Sequence, residues 1–181
     1  MDSNFKLKGI RANLLKRVNT LGDWVNAEQD TSNLKKLKFW GKQVKNKKTN
    51  RGYVLAVSGE NGYYRQHFAV LIAQFLKAPL YRINASELVS KYIGETEKNL
   101  EKLFAQAAEN NWILFFDEAD SLFGKRTEIT DAGDKYANQE VSYLLQRLET
   151  TGLLVIISSN NFKNWPLILQ KRTNWHFNLK D

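Results

Sequence analysis

The sequence predicts an α/β domain in which a parallel β-sheet is covered by helices on both faces. Short apolar segments rich in β-branched and aromatic residues alternate along the chain with segments whose apolar residues recur at helical spacing. The most apolar of these segments is continuous rather than alternating with polar residues, which is typical of a strand buried on both faces. Together these patterns indicate a three-layer αβα arrangement with the sheet in the middle.

The first strand is predicted at residues 53–57, where a β-prone run ends at Ser58-Gly59. The helix after it has four apolar residues on one face: Phe68, Leu71, Ile72 and Phe75. A second strand is predicted at residues 79–83, and Ser86 is placed to cap a short helix that follows it.

The second half of the chain continues the alternation. A strong helix is predicted at residues 95–110, with four residues spaced for burial: Leu100, Leu103, Phe104 and Ala107. The central strand is predicted at residues 112–116, and a helix at residues 137–149. Two further strands, at residues 153–157 and 175–177, complete the predicted sheet.

The overall composition excludes several classes of protein. The 181 residues are 43% hydrophobic, with 2 Pro, 10 Gly and no Cys, which is a globular composition without disulfides or thiolate metal sites. No apolar run approaches the roughly 18 residues of a membrane span. The first eleven residues lack the apolar stretch of a signal peptide. We therefore expect a cytoplasmic protein that has no membrane partner.

The net charge of +8 is unevenly distributed. Residues 1–51 hold 13 Lys and Arg against 4 Asp and Glu, whereas residues 52–181 hold 14 against 15. This shift predicts a basic, partly helical N-terminal segment at residues 1–50 and an α/β core at residues 51–181. The excess positive charge therefore lies outside the core.

The basic segment is predicted to contain an amphipathic helix within residues 5–24. Its apolar stripe consists of Ile10, Leu14, Leu15, Val18 and Leu21. A second short helix is predicted at residues 34–40. Residues 42–51 hold five basic residues and no acids, which indicates an exposed loop. A solvated linker is the first interpretation of this loop, and contact with nucleic-acid phosphates is the alternative.

The chemistry of an open α/β sheet is expected at the carboxyl ends of its strands. Asp117 and Glu118 directly follow the most apolar predicted strand, and two acids there are costly unless they hold a cation or transfer protons. A solvated acidic loop is the alternative. Between the first strand and its helix, residues 59–66 have the length and first glycine of a phosphate-binding loop of the G-x-x-x-x-G-K-[ST] type.

These segments, in this order, resemble the core of the AAA+ ATPases, and the similarity runs from about Trp40 to the C-terminus. The chain is similar above all to small bacterial AAA modules that accompany contractile phage-tail-like machines. The matching segments are 90–100 (first pore loop and following helix), 116–126 (Walker B and its sequel), 136–149 (subunit-interface helix), Ser159-Asn160 (sensor 1) and Lys171-Arg172 (arginine finger).

The resemblance implies a P-loop NTPase fold, ATP and Mg²⁺ as ligands, and oligomerisation. It implies that Asp117 holds the metal and that Glu118 activates water, with Asn160 and Arg172 completing the catalytic set. Arg172 would act on the nucleotide of a neighbouring subunit. The implied nucleotide-binding residues are Gly59, Gly62, Arg65 and Gln66, and the implied pore-loop residues are Tyr92, Ile93 and Gly94. Each of these roles has an alternative interpretation. Arg172 could be a surface arginine near a helix end, Asn160 a turn residue after a strand, and Tyr92 a half-buried residue of an ordinary loop.

The phosphate-binding loop, Walker A, departs from the family pattern. Tyr64 replaces a glycine and its ring can fill the phosphate space, Arg65 replaces the lysine, and Gln66 replaces the hydroxyl residue that would bind Mg²⁺. The C-terminal helical lid of the family is also not expected. These departures predict a pseudo-ATPase that acts as a scaffold or regulatory subunit with a protein partner, either an active AAA+ subunit or a phage-tail-like assembly. The alternatives are a weakly active ATPase and, more distantly, a nucleic-acid-binding module.

Overall fold

A six-stranded sheet forms the centre of the fold. The computed structural model describes residues 15–18, 31–46, 52–84, 95–121, 143–144, 146–148 and 150–179. The strands are β1 (Leu15–Val18), β2 (Tyr53–Ser58), β3 (Leu80–Asn84), β4 (Ile113–Asp117), β5 (Leu154–Ser159) and β6 (Trp175–Asn178), in the spatial order β1-β3-β4-β5-β2-β6. Strands β2 to β6 pair in parallel, which confirms the predicted parallel sheet and its five strands.

Four α-helices are described: α1 (Thr31–Asn46), α2 (Gly62–Leu76), α3 (Glu95–Asn110) and α4 (Leu167–Arg172). The predicted helices after β2 and before β4 are confirmed, and the described residues between 143 and 150 are also helical. Short 3₁₀ helices follow β4 at Ala119–Ser121 and β5 at Phe162–Asn164. None of the helices in the described ranges combines the length and apolar character needed to cross a membrane. The predicted short helix after Ser86 lies outside the described residues.

The N-terminal strand β1 corrects the sequence analysis. Leu15 and Val18 belong to the predicted amphipathic helix, but they form a strand that pairs antiparallel with β3, Leu15 opposite Ile83 and Val18 opposite Leu80. Without β1, the edge of β3 would present unpaired backbone N–H and C=O groups, and pairing satisfies them. This long-range pairing outweighs the helical spacing of the apolar residues. The rest of the predicted helix lies outside the described residues.

Each face of the sheet has its own apolar core. Along β2, Val54 and Ala56 face a cluster that contains α3, whereas Leu55 and Val57 face a cluster that contains α1 and α2. The sheet residues are almost continuously buried because both faces are covered, as the apolar runs predicted. The structure is therefore the predicted three-layer αβα core.

Helix α1 packs directly on the apolar core that it shares with α2. Trp40 is fully buried within it, and a Cβ on the adjacent Gly41 would lie 2.0 Å from Cε1 of Phe75 on α2. Glycine therefore permits the close approach of α1 to α2. The helix also extends to Asn46, so residues 42–46 are helical and not the predicted loop. The division of the chain near residue 50 stays a prediction.

We expect Trp40→Ala to lower the free energy of unfolding by about 3–5 kcal/mol, because it empties a fully buried site between α1 and the sheet. Phe39→Ala is the matched control, since Phe39 is 58% exposed and its ring makes an edge contact with Trp175. It should cost about 1 kcal/mol or less. Urea denaturation of both variants measures the difference, and equal losses would contradict the packing of α1 described above.

Candidate functional site

The carboxyl ends of the parallel strands bring the predicted site residues to one edge of the sheet. Strand β2 ends at Ser58, β4 at Asp117 and β5 at Ser159, and the segment after β2 leads within three residues into α2. Gly59 begins this segment with a φ of 156°, and a Cβ there would lie 2.8 Å from the carbonyl oxygen of Leu179. A glycine is needed at that position because the two backbones approach so closely.

Arg65 fills the loop between β2 and α2 with its own side chain. The residue is only 3% exposed, and its Nη1 donates to the carbonyl oxygens of Gly59 at 2.5 Å and Glu60 at 3.2 Å. The same nitrogen donates to Oδ1 of Asn160 at 2.8 Å. A Cβ on Gly62 would lie 3.4 Å from Nη2 of Arg65, so the second glycine of the loop borders the guanidinium.

Asn61 occupies the hydrogen-bond donors at the start of α2. Its Oδ1 accepts from the backbone N–H of Tyr63 at 2.9 Å and of Tyr64 at 3.4 Å. These are donors that a helix N-terminus otherwise offers to an anion. Tyr64 lies in α2 without a positive φ and is 38% exposed, whereas Arg65 is the buried side chain within the loop. Obstruction of the phosphate space by the Tyr64 ring stays a prediction.

Asp117, the first acid after the central strand, is 4% exposed and fully engaged by other residues. Its Oδ2 contacts Nε of Arg82 at 2.8 Å and Nη2 of Arg82 at 2.7 Å. Its Oδ1 accepts from Oγ of Ser158 at 2.7 Å and from the backbone N–H of Glu118 at 3.0 Å. The exposed Glu118 has a φ of 54°, a left-handed conformation that is uncommon for this residue type.

Asn160 connects the ends of β4 and β5 to the loop. Its backbone N–H donates to Oδ2 of Asp120 at 2.9 Å, while its side-chain oxygen accepts from Arg65. The neighbouring Ser159 accepts a hydrogen bond of 2.6 Å from Nε1 of Trp165. Asn160 is therefore held in place by the chain itself, with its Oδ1 directed to the guanidinium.

The remaining predicted site residues are more dispersed. Gln66 lies on the first turns of α2 and is half-buried, and Arg172 is the last residue of α4. The predicted pore-loop residues Tyr92, Ile93 and Gly94 lie outside the described residues. The structure thus brings Gly59, Gly62, Arg65 and Asn160 together. The catalytic roles of Glu118, Asn160 and Arg172 stay predictions.

Sequence reasoning missed Arg82 and His176. A charged residue within the apolar strand β3 was the available signal for Arg82. His176 lies on β6, and its Nε2 is 2.7 Å from Oγ of Ser58, the residue that immediately precedes the loop. The His176 ring stacks on the ring of Phe162 with 4.1 Å between the ring centroids. Burial lowers the pKa of His176 below its usual range, and the positive charge of Lys36 adds to this shift.

Comparison with known proteins gives a consistent result. The family model described as "ATPase family associated with various cellular activities (AAA)" matches residues 55–180. The chain is 33% identical over 104 residues to the cell division cycle protein 48 homolog of Archaeoglobus fulgidus, which is 57% of this chain and 14% of that protein. It is 36% identical over 92 residues to the proteasome-activating nucleotidase of Methanocella arvoryzae, which is 50% of this chain and 22% of that protein.

The solved structures agree on the fold. The FIGL-1 AAA domain in complex with ADP superimposes with a TM-score of 0.69 at 21% identity, over 96% of this chain and 60% of that one. The chain thus spans about three fifths of that solved structure. It spans less than a quarter of the two curated relatives named above.

We expect the stability of the protein to fall as the pH drops below about 6.5, the ordinary pKa of histidine. The pKa of His176 is lowered in the folded state, so the unfolded state takes up this proton first and acid favours unfolding. His176→Gln should reduce the loss of unfolding free energy between about pH 7.5 and about pH 5.5. Urea titrations at both pH values measure the loss, and an equal loss in both proteins would contradict this assignment.

Proposed function

This chain belongs to the AAA family of ATPases, and we propose that it is a family member whose nucleotide site is closed by its own side chains. In this proposal the chain is a pseudo-ATPase that acts as a scaffold or regulatory subunit with a protein partner. The single observation that carries the proposal is the buried Arg65 guanidinium bound to the carbonyls of its own loop and to Asn160.

The family generally binds ATP and Mg²⁺, and a phosphate-binding loop does so by offering backbone N–H groups and a cation to the phosphates. In this chain donors of both kinds already form internal hydrogen bonds. Asn61 accepts from the N–H groups of Tyr63 and Tyr64, and Arg65 donates to Gly59, Glu60 and Asn160. An incoming phosphate must therefore break several internal hydrogen bonds before it can form its own. The internal hydrogen bonds of residues 59–66 therefore support the proposal that this Walker A loop is degenerate.

The loss of several supports has a multiplicative effect on rate. A positioned cation is worth about 10³–10⁵ in the rate of phosphoryl transfer. Here Arg65 is directed to protein carbonyls, and Gln66 replaces the hydroxyl residue of the loop. Both differences favour a role that does not depend on turnover.

A weakly active ATPase is the second candidate, and one observation favours it. Nε of Arg65 is buried without a hydrogen-bond partner among the residues that the structure describes. An unsatisfied buried donor costs about 1–3 kcal/mol, so an anion that reached it would recover part of this energy. The second candidate therefore predicts weak anion binding at the loop.

AAA proteins commonly oligomerise and act with protein partners, and the proposed partner is an active AAA subunit. Arg172 at the end of α4 is the residue proposed to act on the nucleotide of that neighbour. The predicted association with phage-tail-like assemblies depends on the sequence resemblance alone.

We expect the protein to show neither heat of binding nor phosphate release with ATP and Mg²⁺ in calorimetry and turnover assays. The triple variant Tyr64→Gly, Arg65→Lys, Gln66→Thr should gain at least about tenfold in ATP affinity, because it removes the guanidinium and restores the loop chemistry. Tyr63→Ala is the matched control, since Tyr63 is 54% exposed on the same helical turn and leaves Arg65 in place.

Two results would decide against the pseudo-ATPase. Micromolar binding of ATP by the unmodified chain would show that Arg65 leaves the loop readily. Turnover that disappears in Glu118→Gln would establish the second candidate, because that change removes the carboxylate predicted to activate water.

A further inference from the structure

The carboxylate of Asp117 has no acceptor position left for a metal ion. An ionised carboxylate offers about four lone-pair positions. Two guanidinium nitrogens of Arg82, the hydroxyl of Ser158 and the backbone N–H of Glu118 fill them at distances of 2.7 to 3.0 Å. All four donors come from residues that the structure describes.

The strand register explains why Arg82 reaches this carboxylate. Arg82 is opposite Phe115 and Asn84 is opposite Asp117, so Arg82 and Asp117 are diagonal neighbours on the same face of the sheet. Diagonal neighbours are within reach of long side chains. The side chain of Arg82 is 32% exposed and that of Asp117 is 5% exposed. The guanidinium is therefore the more solvent-accessible member of the pair, and it lies against a buried carboxylate.

Mg²⁺ does not fit this arrangement. It requires oxygen ligands in near-octahedral geometry, commonly one or two carboxylates, with waters and substrate phosphates. The oxygens of Asp117 are taken by other donors, and Gln66 stands in place of the hydroxyl residue that the family pattern supplies.

We propose that the guanidinium of Arg82 is a fixed internal cation that takes the place of the divalent metal at Asp117. The edge of the sheet then keeps its charge balance without any metal. This inference rests on the proposed function for the identity of the site, and it adds a specific residue to it. It also distinguishes Arg82 from an ordinary structural ion pair, because removal of the guanidinium should convert Asp117 into a metal ligand.

The test is a titration with Mn²⁺ alone, without nucleotide, followed by electron paramagnetic resonance and by thermal unfolding. The full chain and Asp117→Asn should bind Mn²⁺ equally, which shows that no site depends on Asp117. Arg82→Gln should create one Mn²⁺ site that disappears in the double variant Arg82→Gln, Asp117→Asn. At a tenfold excess over its dissociation constant, Mn²⁺ should raise the Tm of Arg82→Gln by about 3 °C or more. A merely structural ion pair would lower the Tm of Arg82→Gln without any response to Mn²⁺.

Two outcomes overturn the proposal: a Mn²⁺ site in the full chain that Asp117→Asn removes, or a folded Arg82→Gln protein without an Asp117-dependent site. If Arg82→Gln does not fold without metal, folding on addition of Mn²⁺ supports the proposal. If it does not fold with metal either, the proposal is also overturned, because Mn²⁺ then fails to take the place of the guanidinium at Asp117. Since no nucleotide is present, ATP binding by the full chain would contradict the proposed function and leave this result unchanged.

Discussion

Compensation of buried charge at the carboxyl edge of the sheet is the constraint on which the rest of the site depends. Arg65 and Asp117 are 3% and 4% exposed, and each ion loses most of its hydration there. The effective penalty for such burial is several kcal/mol per ion unless hydrogen bonds replace the lost water. Each ion has its own set of partners: carbonyl oxygens and Asn160 for Arg65, and donors from three residues for Asp117.

The partners of Arg65 connect the loop to the residues that follow β4 and β5. Asp120 holds the backbone of Asn160, Asn160 accepts from Arg65, and Arg65 ties down the carbonyls of the loop. A site that binds a ligand needs unoccupied donors and acceptors directed at the ligand. In this chain many of these donors and acceptors are directed at one another, and their hydrogen bonds stabilise the edge.

Much of the fold could be predicted from the sequence because burial on both faces leaves a local signal. The continuous apolar run before Asp117 located β4, and helical spacing located α2 and α3. Strand β1 could not be located in this way. Its four residues lie within the predicted helix, and two of them, Leu15 and Val18, were assigned to its apolar stripe. Their conformation is decided by pairing with a strand more than sixty residues away.

The candidate site shows the same division between local and long-range information. The positions of Asp117, Asn160 and the loop glycines followed from their place after predicted strands. The partners of these residues did not, because hydrogen bonds between Arg82 and Asp117, or between Arg65 and Asn160, join residues far apart in the chain. The sequence also indicated that Tyr64 would obstruct the loop. The helix begins at Gly62, with Tyr64 38% exposed and Arg65 buried, so the structure adds Arg65 as a side chain that fills the loop.

The presence of Asp117 therefore has an explanation that requires no catalysis. Replacement of its carboxylate by an apolar group would leave the guanidinium of Arg82, the hydroxyl of Ser158 and the N–H of Glu118 without their acceptor. A buried donor that loses its acceptor carries the full cost of desolvation, and among these donors that cost falls on the fully buried Ser158. An acid that matches a catalytic motif can thus be required by folding alone, and a motif match at this position cannot by itself establish ATP hydrolysis. The hydrogen bonds that the acid makes are the stronger guide, and here they are all internal.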